Sequence, residues 1–75
     1  MVEAAPHARL YMLIAGKLIG DLSSGKYPVG AKLPAERELA AMYEVSRPVI
    51  REAIIALEVR GLVEVKVGSG VYVRA

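Results

Sequence analysis

At 75 residues the chain has room for one domain, and at that size it buries little more than half of the surface its unfolded form exposes. It contains no cysteine, which excludes disulfides, thiolate metal sites and cysteine nucleophiles and is compatible with a reducing cytoplasm, the expected location. The net charge of +2 is too small to announce a nucleic-acid partner, so any such argument rests on where the charges sit.

Residues 1–7 have no hydrophobic periodicity and are expected to form a disordered tail. The single histidine, His7, falls in that stretch and reads as a tail residue rather than a ligand or catalyst. No basic leader followed by an apolar block marks a signal peptide over residues 1–9. The apolar run from Leu10 to Leu22 is interrupted by Lys17 and Asp21 and is too short to span a bilayer, so a soluble domain with no membrane partner is expected. An apolar fraction of 55% is high for so short a chain and suggests that a second domain or subunit covers part of the surface.

Helical spacing begins after the tail, where Leu10, Ile14, Leu18 and Leu22 recur every four residues with Leu13 and Ile19 beside them. The pattern predicts a helix over residues 8–22, weakened by Gly16 and Gly20. Gly25, Pro28 and Gly30 turn the chain, Lys32 and Leu33 form a short extended piece, and Pro34 ends it. A second helix is expected from about Ala35, with Glu36 and Glu38 in its first turn, where negative charge suits the amide ends, and with Leu39, Ala40 and Met42 available for burial. Alanine offers that helix no capping acceptor.

Ser46 is a better cap, its hydroxyl able to accept an amide hydrogen bond from the next turn, and Pro48 belongs in such a first turn because its missing N–H needs no partner there. The third helix should run to about Arg60, closed by Gly61, with Ile50, Ala53, Ile54 and Leu57 on its core face. From Leu62 the period becomes two: Val63, Val65 and Val67, then Val71 and Val73, predict a hairpin with a Gly68-Ser69-Gly70 tip. Two strands alone are marginal in water, so the hairpin must pack its valines on the helices.

Three helices, a short turn between the second and third, and a β-hairpin make up the order of a winged helix-turn-helix: mainly α, with a two- or three-stranded wing, over residues 8–75. A 100° step per residue puts Arg47 and Arg51 one turn apart on the outer, N-terminal half of the third helix. Guanidinium forks there can give paired hydrogen bonds to guanine or clamp a phosphate, and the helix N-terminus favours phosphate as well. Spacing alone leaves open whether these arginines instead pair with Glu44 or Glu52 on a solvated face.

The whole pattern is more specific than any single match. Leu33-Pro34-Ala35-Glu36-Arg37, Val45 to Ala53, Leu57-Glu58 with Gly61 to Val65, and Gly68-Ser69-Gly70-Val71 with Val73 resemble the N-terminal domain of the GntR family of bacterial regulators. The similarity covers about residues 9–74. Within the family, Arg51 to Ile55, Leu57 to Val59 and the opening Arg9-Leu10-Tyr11 are similar to the FadR branch, above all its hexuronate-responsive members. The resemblance implies a homodimeric, nucleoid-associated regulator, usually a repressor, on a palindromic operator. It also implies a separate helical domain for a small-molecule effector, no part of which lies in these residues, so the isolated domain is expected to need no cofactor and to be possible as a monomer.

Carried over position by position, the family's DNA contacts fall on Arg37, on Ser46, Arg47, Pro48, Val49 and Arg51, and on Gly68 and Ser69 in the wing. Lys32 and Lys66 are added from charge and place, with the choice between a phosphate contact and a solvated lysine left open. Ala35 departs from the family pattern, where a serine often caps the second helix, and Val67 replaces a basic or polar wing residue. A winged helix can also serve as a protein-protein module, for which the outward Ile55 speaks. An enzyme has no support: no cysteine, one terminal histidine and no carboxylate pair in a pocket-forming context.

Overall fold

Three stripes of aliphatic side chains decide the architecture, because each can leave water only against the other two. The computed structural model describes residues 6–74. Its elements in chain order are α1 (Pro6–Ser23), α2 (Glu36–Tyr43), α3 (Arg47–Val59), β1 (Val63–Lys66) and β2 (Gly70–Val73). Ile14, Ala15 and Leu18 of α1, Leu39 and Ala40 of α2 and Val49, Ile50, Ala53, Ile54 and Leu57 of α3 are buried together with Leu33, Val63 and Val73. No helix among the described residues is long and apolar enough to cross a membrane.

The helix ends follow from local chemistry. The first helix begins at Pro6, so it takes in two residues assigned from sequence to the tail; proline is tolerated there because the first amides have no helical partner. The rest of the expected tail, residues 1–5, lies outside the described residues. Ala35 occupies the N-cap of α2 and makes no side-chain cap, while the Glu38 carboxylate reaches back to accept the Ala35 N–H at 2.9 Å, half of a capping box. Glu44 ends α2 in the left-handed region at φ 56°, and the chain re-enters a helix three residues later. At the far end of α3, Gly61 takes φ 76°, with its N–H bonded to the Glu58 carbonyl and the Leu62 N–H to the Leu57 carbonyl, the paired bonds of a Schellman ending.

The strands pair antiparallel, Val63 opposite Val73, Glu64 opposite Tyr72, Val65 opposite Val71 and Lys66 opposite Gly70. The tip is therefore Val67-Gly68-Ser69, one residue earlier than expected, closed by the Ser69 N–H on the Lys66 carbonyl at 2.9 Å. The extended piece before α2 adds a single bridge, Lys32 to Tyr72, supported by the Leu33 N–H on the Val71 carbonyl at 2.8 Å. The third strand of the wing is thus reduced to one bridge beside a two-stranded sheet.

Five aliphatic side chains that periodicity assigns to the core lie outside it. Leu10 and Leu13 of α1, Met42 of α2 and Val65 of β1 are exposed, and Val67 at the wing tip is 99% exposed. A 75-residue chain has too few neighbours to cover every apolar stripe, and the three-layer core closes over the middle of α1 first.

Candidate nucleic-acid interface

The helix-turn-helix is assembled from the bottom by α3. Ile50 and Leu57 are fully buried and Ala53 between them is equally so, which leaves the opposite face of the helix to solvent. On that face Arg47 and Arg51 stand one turn apart, their side chains 61% and 58% exposed. Pro48 is exposed between them. Ser46 is the N-cap residue, but its hydroxyl makes no cap hydrogen bond, contrary to expectation. The hydroxyl therefore stays available to an outside partner, and the amides at the start of α3 gain no acceptor from it.

Glu36 joins the two arginines. The Arg47 Nε–H donates to its Oε1 at 2.9 Å, while Arg51 donates Nε–H to Oε2 at 3.0 Å and Nη2–H to Oε1 at 3.1 Å. These hydrogen bonds, that from Arg51 first and that from Arg47 next, hold the Glu36 carboxyl below its usual pKa, and the same contact raises that of Arg51. The partner is neither Glu44 nor Glu52. It comes from the first turn of α2, 11 and 15 residues away, so helical spacing could not reveal it.

Arg37, the next residue along α2, is exposed. Val49 has to be corrected. Its side chain is only 3% exposed because the third position of α3 turns inward beside Ile50, so it has no surface to offer a base. The family contact at that position could be made only by the backbone of Val49, not by its methyl groups.

The wing forms a second basic surface. Glu64, Lys66, Tyr72 and the bridged Lys32 share the sheet face opposite the buried Val63 and Val73. The Lys66 ammonium lies 4.8 Å from the centroid of the Tyr72 ring, and the Tyr72 and Ser69 hydroxyls are 2.6 Å apart. Lys32 runs its aliphatic stem over Gly70, at φ 146°, where a Cβ would come within 2.5 Å of the lysine Cε. Glycine at position 70 thus lets Lys32 cross the base of the tip. Gly68 and Ser69 are exposed at the tip itself. Tyr72, which organises both Lys66 and Ser69, was missed from sequence; its alternation with Val71 and Val73 was the available signal.

Between the two surfaces lies a shallow apolar groove lined by Pro34, Leu39, Ile54, Ile55, Val65 and Val71, with Glu36, Arg51 and Glu58 as its charged residues. On the other side of the domain the Tyr43 hydroxyl donates to Asp21 Oδ2 at 3.3 Å, tying α2 to α1, and burial foremost, then the Asp21 charge, raises the Tyr43 pKa.

Residues 10–73 match the family described as "Bacterial regulatory proteins, gntR family". The chain is 54% identical over 65 residues to the Uxu operon regulator of Haemophilus influenzae, covering 87% of this chain and 24% of that protein. It is 51% identical over 72 residues to the Exu regulon transcriptional regulator of Escherichia coli K12, covering 96% and 28%. Thus the chain spans only about a quarter of the length of these relatives. Among solved structures it is similar to AraR(DBD) in complex with operator ORE1, with TM-score 0.83, 30% identity and coverage of 97% of this chain and 82% of that one. The Streptococcus agalactiae GntR structure matches with TM-score 0.78 and 43% identity, over 87% of this chain and 31% of that one. With a winged helix-turn-helix fold and nearly the whole chain matched, the protein belongs to the gntR family of bacterial regulatory proteins, in the FadR branch with the Uxu and Exu regulators.

Proposed function

We propose that this chain is the DNA-binding head of a metabolite-responsive transcription regulator, a repressor that binds a palindromic operator sequence-specifically as part of a homodimer. The observation that carries the reading is the pair of exposed guanidinium groups at the start of α3. Both Nη groups of Arg47 and Nη1 of Arg51 have no partner among the described residues. Such groups match the O6 and N7 acceptors of guanine or the oxygens of a phosphate. Arg37, Ser46 and Pro48 flank them, and Lys32, Lys66, Gly68 and Ser69 supply contacts on the wing side.

Support for the DNA partner also comes from the similar AraR(DBD) structure, which is a complex with operator ORE1. The Uxu operon regulator and the Exu regulon transcriptional regulator among its relatives support a role in regulating transcription. On this reading effector binding and dimerisation belong to a part of the regulator that this chain does not span, and the regulator acts at the bacterial nucleoid.

A gel shift tests this. The probe is the duplex that the protein enriches from a random-sequence pool, with a scrambled duplex as reference. Arg47→Ala or Arg51→Ala is expected to cost about 1 to 3 kcal/mol per subunit on the enriched duplex and to relax base preference. With about four phosphate-neutralising groups per subunit, log affinity falls against log salt with a slope of roughly −7 for a dimer. No enrichment, or a slope near zero, removes the reading. The apolar groove beside Ile55, which is 47% exposed, would then favour a protein-protein role.

A further inference from the structure

Glu36 is a carboxylate set among groups whose task is to meet a polyanion. Alone it would repel phosphate, and its presence in the cluster calls for a physical account. The hydrogen-bond pattern supplies one. Glu36 takes the Nε–H of both arginines, Oε1 from Arg47 and Oε2 from Arg51, and its third bond also lies on the Nε side of the Arg51 plane. Nothing in this pattern occupies the terminal edge of Arg47, and Arg51 keeps Nη1 and the outer N–H of Nη2.

We propose that Glu36 is a positioning residue for base recognition: it grips Arg47 and Arg51 by their Nε edges and so aims both terminal edges away from the protein, toward the groove of a duplex. The proposal rests on the DNA-binding reading above and assigns that site a member that touches no DNA. Guanine is read by two parallel hydrogen bonds in one plane, so the orientation of the guanidinium decides discrimination, whereas a phosphate accepts it from many directions. A tethered arginine has lost much of its rotamer freedom before the duplex arrives, and the ordering cost of binding falls accordingly. The same carboxylate lowers attraction to any DNA backbone. Glu36 therefore lowers the sequence-independent attraction while strengthening the distinction between sequences.

That opposition gives the test a readout that a merely structural role would not move. On the 75-residue chain, Glu36→Gln is compared with the parent on the enriched and the scrambled duplex. The ratio of the two affinities is expected to fall by about tenfold, within the range a misaligned bidentate contact costs. Affinity for the scrambled duplex should stay equal or rise. Glu38→Gln, in the same helical turn and with an amide oxygen still able to cap Ala35, should leave the ratio at the parent value. In solution NMR the Nε–H signals of Arg47 and Arg51 should be sharp in the parent and lost in Glu36→Gln.

A ratio that is unchanged or higher in Glu36→Gln overturns the proposal, the higher value meaning that Glu36 masks the arginines instead. Exchange-broadened Nε–H signals in the parent overturn it too, whether or not the variant folds. If Arg47→Ala and Arg51→Ala keep the parent ratio, the DNA-contact assignment has failed and the positioning role goes with it. If those two lower the ratio and Glu36→Gln does not, only the positioning role is lost.

Discussion

The third helix and the wing both present basic side chains, yet they are held in opposite ways. In α3 five residues of 13 are buried, and the exposed arginines are fixed from outside by a carboxylate on a second helix. In the hairpin burial decays along the strands, from Val63 at 1% and Val73 at 6% exposed to Val65 at 40% and Val67 at 99%. Beyond the Lys32 stem over Gly70, the tip is held by contacts among the hairpin's own residues, Ser69 with Tyr72 and Lys66 over the Tyr72 ring. The helix is thus built to present atoms at fixed places, and the wing to follow a surface. Base readout demands the first property and backbone contact tolerates the second.

Breaking the helical side should have the largest effect. Leu57→Ala removes a fully buried side chain where α3 meets the rest of the core and should cost about 2 to 5 kcal/mol, enough to unfold much of so small a domain. Urea denaturation followed by circular dichroism measures it, and a loss under 1 kcal/mol would mean that the core is looser than its burial indicates. The cap of α2 sharpens the same side. Ala35 has extended backbone angles, φ −62° and ψ 155°, and already receives half a capping box, so Ala35→Ser should add about 0.5 to 1 kcal/mol. An unchanged or lower melting temperature would count against it.

Smaller again is the effect of acid on the tie between α2 and α3. Because the Glu36 carboxyl is held below its unfolded value near 4.5, its contribution is present above that pH and disappears as pH falls through the depressed folded value. The expected loss below about pH 4.5 should be absent in Glu36→Gln, as thermal melts at several pH values would reveal. At the wing tip, Val67→Ser should change stability by less than about 0.5 kcal/mol, since nothing packs on Val67. A larger loss in a melting experiment would show that the tip is better anchored than its exposure indicates.

The same contrast marks what could be read from the amino acids alone. Boundaries marked by local residue types were legible: the start of α3 after Ser46 with Pro48 in its first turn, though not by the expected hydroxyl cap, its end at Gly61, and the change to period two at Val63. The overall order of three helices and a hairpin follows from those signals, and the structure has it. What depends on distant partners was not legible. Periodicity marks Leu10, Leu13 and Met42 as apolar but cannot say that the domain runs out of protein to cover them. It does not say that Val49 turns inward, which withdraws one proposed contact, nor that Glu36 crosses the turn to the arginines. The tip register slipped by one residue because Gly68 and Gly70 are equally plausible ends of a turn until the strands choose their partners.

One carboxylate serving two guanidinium groups has an evolutionary corollary. Loss of Arg51 frees Oε2 for Arg47, and loss of Arg47 leaves Oε1 to Arg51 alone; under the proposed positioning role either change alters the other's aim, so positions 47 and 51 would not drift toward a new operator one at a time. Their effects on sequence preference should be epistatic, and a library varying both together should yield altered specificities that neither single library contains.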